Sequence, residues 1–335
     1  MPKRKLNWAL LSTARINDSI IPAIKKSKHA NLYAVASRSN RNLKQYARKR
    51  KIPIFYSSYE ELLKDKKVDV IYISLPNHLH SKWIVLAAEA KKNVLCEKPM
   101  AMNASEGRDM VKACYENQVK LMLCYYQRFN RRHQKIKELL ETGEIGQVTA
   151  VRITNCTYKP AGTDEWRQQP DISGGGNLMD VGSHCVDLLR YLFGEISSVS
   201  SLVDTLAFDY PVDDTATMLL ELSGSIHAVV STHWSALIPD TKHSSELSIY
   251  GTKGTIVSTP MVDKFSKGSL MLMTENQRSE FQYEESTHKQ MLEAFAQGID
   301  GSGPVPITGE DGVAVSQVID AAYKSAIEGK KIDII

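Results

Sequence analysis

The first third of the chain alternates short apolar runs with longer amphipathic stretches. The most continuous apolar run, at 68–75, reads VDVIYISL and is followed by an amphipathic stretch at 80–90. Apolar strands that alternate with helices are typical of a parallel sheet covered on both faces. The pattern therefore predicts a doubly wound α/β sheet, with strands at 6–11, 32–37, 68–75, 93–96 and 120–124 and helices at 19–28, 40–51, 80–90 and 104–117.

After about residue 127 the pattern changes to strands that follow one another, separated by short turns such as Ser223-Gly224. Such a succession is typical of an antiparallel sheet. We expect helices at 131–141, 177–193, 287–299 and 309–328 and strands at 148–156, 199–204, 214–222, 225–234, 245–250 and 254–258. The chain is thus predicted to form an α/β domain at 1–125 and an α+β domain with a large, mostly antiparallel open sheet at 126–335, whose last helix can pack back on the first domain.

Composition narrows the class of protein. The chain has 335 residues, 42% hydrophobic and 24% charged, as in soluble globular proteins, and no apolar run is long enough to span a membrane. A net charge of +4 argues against a nucleic-acid partner. The five cysteines are scattered without a C-x-x-C pair, which indicates reduced thiols and the cytoplasm. Residues 3–14 look like a short secretion signal, but their apolar part is shorter than such signals require.

The first strand-to-helix turn is notable because none of the 19 glycines precedes Gly107. In a dinucleotide-binding fold this turn carries G-x-G-x-x-G, whose glycines let backbone N–H groups approach the pyrophosphate. Ser12, Ala14 and Asn17 stand at the three glycine positions, and all are small or tolerated in turns. The segment therefore predicts either a phosphate-binding turn or a turn that binds nothing. The residues proposed to contact the cofactor here are Ser12, Thr13, Ala14, Arg15 and Ile16.

The end of the second predicted strand indicates which dinucleotide is preferred. Ser37 and Arg38 stand where an NAD-specific site usually has Asp or Glu for the ribose 2′-hydroxyl. Residues 25–51 contain ten Lys or Arg and no acidic residue. Because arginine suits a 2′-phosphate, we predict NADP(H) with NAD(H) as the other possibility. The alternative is that the basic stretch is only a solvated helix face.

Two further motifs follow the ends of predicted strands, where ligands of open α/β sheets bind. The first, at 75–80, reads LPNHLH, in which Asn77 either contacts a ligand or caps the next helix. Its two histidines have no acidic or cysteine partner nearby, so no metal is predicted. The second, at 96–99, reads CEKP. We expect Lys98 to act in the site, and its bond to Pro99 is a candidate cis peptide.

A glycine cluster opens the helix predicted at 177–193. The segment at 174–184 reads GGGNLMDVGSH, so Asp180 and His184 are four apart and predicted to share one helix face. Histidine is the natural proton shuttle for alcohol–ketone interconversion because its pKa is near 6.5. The alternative is an Asp–His pair that only stabilises an exposed helix. Glycines at this position are costly in a helix, which favours a functional reason for them.

Together these motifs resemble the glucose–fructose oxidoreductase/inositol dehydrogenase (Gfo/Idh/MocA) family. The resemblance covers T-A-R-I, A-S-R, L-P-N-x-x-H, C-E-K-P, Y-x-R-F-N at 126–130 and G-G-G-x-x-x-D-x-G-x-H, and thus nearly the whole chain. It implies a Rossmann domain that binds NAD(P) at 1–125. It further implies a substrate domain at 126–335 whose open sheet forms homodimers or homotetramers. The implied reaction is hydride transfer to or from one carbinol carbon of a sugar, inositol or related polyol.

The resemblance also implies roles for single residues. Lys98 would hydrogen-bond the reacting oxygen, Asp180 would orient the substrate, and His184 would be the general acid/base. The implied cofactor contacts beyond the first turn are Ser37, Arg38, Leu75, Pro76, Asn77, His80, Glu97, Lys98 and Arg128. The substrate contacts are Lys98, Arg128, Trp166, Arg167, Asp180 and His184.

The sequence departs from the family pattern at Ser12 and at Lys91, where members commonly have glycine. The first departure concerns cofactor affinity more than reaction type. It also leaves open a non-catalytic descendant that senses a nucleotide or sugar. A third possibility is an enzyme that retains and recycles NAD(H) within one site, which Arg38 disfavours.

Overall fold

The chain folds into two units, each built on its own sheet. The computed structural model describes residues 4–38, 42–163, 165–238, 243–264 and 266–334. The first unit comprises Met1–Tyr125 and His288–Val313, and the second comprises Tyr126–Thr287 and Ala314–Ile335. None of the described helices is long and apolar enough to cross a membrane.

The first unit contains a six-stranded sheet in the order β3-β2-β1-β4-β5-β6, and every described pair is parallel. In this order the succession of strands reverses between β1 and β4, and doubly wound folds bind ligands at that point. The predicted α/β class is confirmed. The strands are β1 (Leu6–Leu11), β2 (Ala30–Ala36), β3 (Ile54–Tyr56), β4 (Val70–Ile73), β5 (Asn93–Cys96) and β6 (Leu121–Leu123), and the helices are α1 (Asn17–Lys26), α2 (Leu43–Lys49), α3 (Tyr59–Lys64), α4 (His80–Glu89) and α5 (Ala104–Glu116).

The sequence pattern missed β3 and α3. Both are short, and no residue of β3 is fully buried, so no apolar periodicity marks that strand. The helix predicted from residue 40 is described from Leu43 onward, and Asn40 and Arg41 lie outside the described residues.

The second unit contains a nine-stranded sheet in the order β14-β13-β12-β11-β7-β10-β9-β8-β15. Among the described pairs only β7 and β10 run parallel, so the mostly antiparallel sheet is confirmed. The strands are β7 (Val148–Thr157), β8 (Ile196–Asp204), β9 (Thr215–Leu222), β10 (Ile226–His233), β11 (His243–Gly251), β12 (Gly254–Thr259), β13 (Ser269–Thr274), β14 (Arg278–Phe281) and β15 (Ile332–Asp333). The helices after β6 are α6 (Arg131–Glu141), α7 (Pro170–Ser173), α8 (Ser183–Phe193), α9 (Thr287–Asp300) and α10 (Gly309–Glu328).

Burial alternates along the strands of this second sheet. In β9, Met218 and Leu220 are buried while Leu219 between them is 53% exposed. Leu219 pairs with Val229 of β10, which is 36% exposed. Because successive side chains of a strand point to opposite faces, one face of the sheet packs on the core and the other carries exposed apolar side chains.

Candidate active site

The turn between β1 and α1 is held by side chains instead of glycines. Ser12 has a φ of 149°, a backbone conformation that favours glycine. Its hydroxyl lies 2.8 Å from the Ser74 hydroxyl and accepts the Ala14 N–H at 3.1 Å. The buried Asn17 accepts from the Ser74 hydroxyl at 2.7 Å and donates to the Ser12 carbonyl at 2.9 Å and to the Tyr46 hydroxyl at 3.0 Å. These five residues form the turn network, a closed set of hydrogen bonds.

The same turn presents free backbone donors to a ligand. The N–H groups of Thr13, Arg15 and Ile16 have no acceptor in the part of the chain that the structure describes. They precede the N-terminus of α1, which has no side-chain cap. Thr13 and Ile16 are partly exposed and Arg15 is exposed, so solvent reaches the turn. Unpaired N–H groups at a helix start are what a pyrophosphate needs, and the residues present therefore fit a dinucleotide.

The end of β2 carries the predicted NADP determinants. Ser37 is buried, and its N–H donates to the Tyr56 carbonyl at 3.1 Å. Arg38 is exposed and hydrogen-bonds Tyr59 of α3. Burial raises the pKa of Tyr59, and the Arg38 guanidinium opposes that shift. The described end of β2 thus offers the positive charge of Arg38, which fits a 2′-phosphate.

The segment after β4 is tied to the segment after β5 by a buried histidine. His80 begins α4, with Nε2 2.8 Å from the Leu75 carbonyl oxygen and Nδ1 3.0 Å from the Pro99 carbonyl oxygen. Burial lowers the pKa of His80, against the effect of these carbonyls. Asn77 lies buried in the 3₁₀ turn at 77–79, and neither this turn nor α4 has a side-chain cap, so the predicted capping role of Asn77 is not found.

Lys98 follows β5 at the carboxyl edge of the first sheet. Its neighbour Glu97 accepts a hydrogen bond at 2.5 Å from the hydroxyl of Tyr72, a completely buried residue of β4. Burial raises the pKa of Tyr72 well above its ordinary value, and the Glu97 carboxylate adds to the shift, so the phenol stays a donor. Lys98 itself is half-buried, and its bond to Pro99 is cis, as the sequence suggested. The neighbouring strand β4 therefore holds Glu97 on one side of Lys98, and His80 of α4 contacts the carbonyl of Pro99 on the other.

In the second unit the glycine run leads into a π-helical turn at 178–182, from which α8 begins. The sequence predicted one regular helix from residue 177, with Asp180 and His184 four apart on one face. The structure differs in that residues 178–182 form a π turn, which inserts an extra residue into the helix. The shared face of Asp180 and His184 stays a prediction. Asp180 lies inside the turn, and its carboxylate is 3.0 Å from Lys159 Nζ and 3.5 Å from Arg167 Nε.

His184 lies in the first turn of α8 and is 6% exposed. The edge of its ring meets Tyr126 with ring centres 5.4 Å apart and an angle of 70°. One turn later, the buried Asp187 accepts hydrogen bonds from Arg128 Nε at 3.0 Å and Nη2 at 2.7 Å. The Y-x-R-F-N motif thus packs on α8, and the contact of Arg128 with cofactor or substrate stays a prediction.

Two aromatic rings flank the charged groups around Asp180. The Arg167 guanidinium lies 4.1 Å from the centre of the Trp166 ring, and Lys159 Nζ lies 4.2 Å from the centre of the Trp234 ring. Cations over aromatic faces are held in place by the ring quadrupole. The Trp234 ring is completely buried, so the cluster offers a ligand one carboxylate, two cations and the partly exposed Trp166 ring, a set that suits a hydroxylated ligand.

Asp213 was missed by the sequence analysis although it organises the glycine run. Its Oδ1 accepts from the Gly176 N–H at 2.8 Å and from the Tyr323 hydroxyl at 2.7 Å, and its Oδ2 accepts from the Leu178 N–H at 2.7 Å. Burial raises the pKa of Asp213, and these donors oppose the shift by favouring the carboxylate.

The next residue, Asp214, organises the loop after β8. It accepts from three consecutive N–H groups at 2.8–3.1 Å, those of Leu206, Ala207 and Phe208. Burial alone would raise the pKa of Asp214, but these donors and the Thr215 hydroxyl together lower it. The signal in the sequence is the pair of adjacent acids directly before a strand, which is a costly place for two carboxylates unless each is bonded.

Comparison with known proteins now decides the family. Residues 6–125 match the sequence model described as "Oxidoreductase family, NAD-binding Rossmann fold", and residues 133–257 match that of the GFO/IDH/MocA C-terminal domain. A relative with 31% identity extends over 98% of the chain and 99% of its own length. The chain belongs to the GFO/IDH/MocA oxidoreductase family. The predicted family, the enzyme class of oxidoreductase and the nicotinamide dinucleotide cofactor are thereby confirmed.

That relative is D-xylose 1-dehydrogenase (NADP(+)) 2 of Haloferax volcanii. Trans-1,2-dihydrobenzene-1,2-diol dehydrogenase of Mus musculus is 35% identical to this chain, over 74% of this chain and 73% of the mouse protein. Among solved structures, aldose-aldose oxidoreductase from Caulobacter crescentus, in complex with glycerol, superposes with a TM-score of 0.90 at 25% identity, over 98% of this chain and 100% of the other. The similarity therefore extends over both units.

Proposed function

We propose that this oxidoreductase transfers a hydride between NADP(H) and the carbinol or carbonyl carbon of a sugar, cyclic polyol or related vicinal diol. The names of the xylose and dihydrodiol dehydrogenases support this substrate class. Residues 1–125 would bind the cofactor, and 126–335 would bind the substrate and mediate assembly. The observation that carries the proposal is that one chain contains a turn with free N–H groups, suited to a phosphate, and a helix start with the partly buried Asp180 and the buried His184.

The bound nicotinamide supplies the hydride acceptor or donor. When a carbinol is oxidised, its carbon loses the hydride and its hydroxyl loses a proton, and we assign that proton to the imidazole of His184. The Lys98 ammonium stabilises the negative charge that develops on the oxygen. Both groups must reach the same substrate oxygen for this assignment to hold. Reduction uses the same groups in reverse.

Asp180 orients the substrate through its carboxylate, which accepts hydroxyl hydrogens well. Lys159 and Arg167 hold this carboxylate in place from two sides. The partly exposed ring of Trp166 offers an apolar face against which the C–H face of a sugar or diol ring can pack. We therefore assign Trp166 and Arg167 to substrate binding.

NADP(H) is preferred over NAD(H) because Arg38 follows β2 and no acid is present at 25–51 to bond a ribose 2′-hydroxyl. The NADP named in the Haloferax enzyme supports the same choice. The proposed cofactor contacts are the first turn together with Ser37, Leu75, Pro76, Asn77 and Glu97. His80 would act indirectly, since both of its ring nitrogens face backbone carbonyls.

Assembly into a homodimer or homotetramer through the open sheet face is part of the proposal. On this face Leu202, Leu219, Val229 and Tyr250 are 72%, 53%, 36% and 37% exposed. Leu219 and Val229 are direct cross-strand neighbours, and exposed apolar side chains grouped on one sheet face mark interfaces. All five cysteines are free thiols, which supports a reducing compartment such as the cytoplasm. Light scattering after size exclusion, with Leu219→Asp beside the wild type, tests the interface, and an unchanged mass in the variant contradicts it.

The activity is tested by a matrix of cofactors and substrates. NADP and NAD are each combined with aldoses, inositols and trans-diols, NADPH and NADH with keto-sugars, and the nicotinamide absorbance is recorded. We expect turnover with at least one substrate and a higher kcat/KM with NADP than with NAD. Arg38→Asp should reduce that preference, whereas Arg48→Asp on α2 is the matched control. Absence of turnover, together with no thermal shift from either cofactor, would contradict the proposal.

A further inference from the structure

The start of α8 is built in an unusual way. Three consecutive glycines, a π-helical turn and the first turn of α8 follow one another without a break from 174 to 184. Glycines and a π turn are both weak on their own, because the first lose much conformational entropy on folding and the second has few regular hydrogen bonds. Something outside the segment must therefore fix it.

We propose that Asp213 and Tyr323 are positioning residues that fix this segment and so place Asp180 and His184 for the reaction. The inference rests on the proposed function in that it takes these two residues to be the reacting pair. Neither Asp213 nor Tyr323 touches the substrate in this proposal.

The contacts are dense and come from two distant parts of the chain. The Asp213 carboxylate bonds the N–H groups of Gly176 and Leu178, and the Asp213 carbonyl accepts the Asn177 N–H at 2.8 Å. Tyr323 of α10 donates its hydroxyl to Asp213 Oδ1 at 2.7 Å. Three successive N–H groups of the segment are thus held by one residue, which is in turn held by the last helix.

The contacts of Asp213 and Tyr323 with residues 176–178 form a clamp. The glycines are required because this clamp leaves no room for a side chain. A Cβ on Gly175 would lie 2.1 Å from the Tyr323 hydroxyl oxygen, and one on Gly176 would lie 2.0 Å from the Asp213 carbonyl oxygen. Gly175 also has a φ of 155°, which an L side chain rarely adopts. The glycine run therefore allows backbone to approach Asp213 and Tyr323 closely.

The clamp sets where the reacting groups stand. Asp180 follows the last clamped N–H by two residues, and the π turn ends two residues before His184. At the far side of His184, Arg128 holds Asp187 of α8. A shift of the turn would move both reacting side chains, and misplacement by about 1 Å costs about a hundredfold in rate.

The experiment compares two conservative variants on the same helix. Tyr323→Phe removes only the hydroxyl that bonds Asp213. Ser325→Ala is the matched control, because the buried Ser325 hydroxyl also bonds backbone, accepting the Ser201 N–H at 3.0 Å and donating to the Lys330 carbonyl at 2.7 Å. Asp213→Asn is a second test, since it keeps the shape but turns an amide toward N–H groups. Each protein is measured for Tm, kcat, the KM for cofactor, and the ring cross-peak of His184 in spectra with ¹³C-labelled histidine, assigned by its loss in His184→Asn.

We expect Tyr323→Phe and Asp213→Asn to lower kcat by about tenfold or more. The KM for cofactor should stay within about twofold of wild type. The His184 cross-peak should move or split in both variants. Ser325→Ala should lower Tm by a similar amount and leave kcat and the cross-peak unchanged.

If Tyr323→Phe and Ser325→Ala give the same kcat and the same His184 cross-peak, the proposal is overturned and Tyr323 is merely structural. The cross-peak also distinguishes a failure of this positioning role from a failure of the proposed function. A wild type without turnover contradicts the proposed function. The His184 resonance still decides whether Asp213 and Tyr323 position that residue.

Discussion

Two turns of this chain each lead into a helix at the candidate site, one without glycine and one with three glycines. The turn after β1, where the family places glycines, has none and is held by the side chains of Ser12, Asn17 and Ser74. The turn before α8 has three glycines and is held by Asp213 and Tyr323 from outside. The difference shows that glycine serves two separate purposes, a backbone conformation and an absence of volume.

At the first turn the backbone conformation that a glycine would allow is held by side chains. Ser12 takes a φ of 149° as a serine, at a cost of about 1–3 kcal/mol that its hydrogen bonds offset. At the second turn the absence of side-chain volume is needed, because neighbouring backbone occupies the place that a Cβ on Gly176 would take. Side-chain bonding can replace the first purpose and cannot replace the second.

The largest expected effect is that of Gly176→Ala. Its Cβ would meet a backbone carbonyl oxygen at 2.0 Å, so the turn must move, and we expect a loss of about 4 kcal/mol in the free energy of unfolding. Gly303→Ala is the control, since its Cβ would meet only the Gln297 side chain at 3.6 Å. Urea unfolding measures both. Equal stability of the two variants would show that volume is not limiting at the second turn.

Asn17→Ala should have the next largest effect, because it removes the centre of the first turn's network. Ser74, Tyr46 and the Ser12 carbonyl would lose buried partners, at a cost of about 2–3 kcal/mol. We expect NADP, titrated by protein fluorescence, to bind several times more weakly. Asn31→Ala is the control, because its bond to Asn7 is exposed. Wild-type affinity and stability in Asn17→Ala would refute the role of the network.

Ser12→Gly should change stability by less than about 1 kcal/mol, since relief of the strained φ offsets the lost hydroxyl bonds. The change also releases the Ala14 N–H, which the Ser12 hydroxyl now binds at 3.1 Å. One more donor would then face the pyrophosphate, and we expect the Kd for NADP, measured by calorimetry, to fall a few-fold. A weaker affinity would mean that the serine hydroxyl itself contributes to binding.

The smallest expected effect is on how stability depends on pH. The segments around the second turn are held by carboxylates, whereas the first turn's network contains only neutral groups. The pKa of Asp214 is lowered in the fold despite burial. Its stabilisation is therefore present above the unfolded pKa of about 3.9 and is lost as the pH falls through the folded pKa. Asp214→Asn should be less stable than wild type at neutral pH, with a gap that narrows below about pH 4. A gap that does not change with pH would contradict this, and Asn17→Ala should show such a constant gap.

The sequence predicted those parts of the fold that have local signals. β1, β5 and α6 have the predicted bounds because apolar runs and helical periodicity end sharply there. β3 was missed since its three residues carry no buried side chain. The π turn was missed because Leu178 and Gly182 fit an ordinary helical pattern equally well.

The motifs of the candidate site could be predicted from the sequence, but the residues that hold its backbone in place could not. Lys98 and His184 stand out by residue type and by position after a strand or a glycine run. Asp213 and Tyr323 are 110 residues apart, and no local pattern relates either of them to Gly176. Such long-range bonding becomes visible only when the fold brings the partners together.

In the proposed reaction His184 moves the proton and Lys98 stabilises the oxygen during hydride transfer. The most direct measurement is NADP-linked turnover of His184→Asn and Lys98→Met, together with the Kd of each variant for NADP. We expect kcat to fall by about 10²–10⁴-fold in both variants with the Kd nearly unchanged. Turnover near the wild-type level in either variant would contradict the assignment of that residue to the reaction.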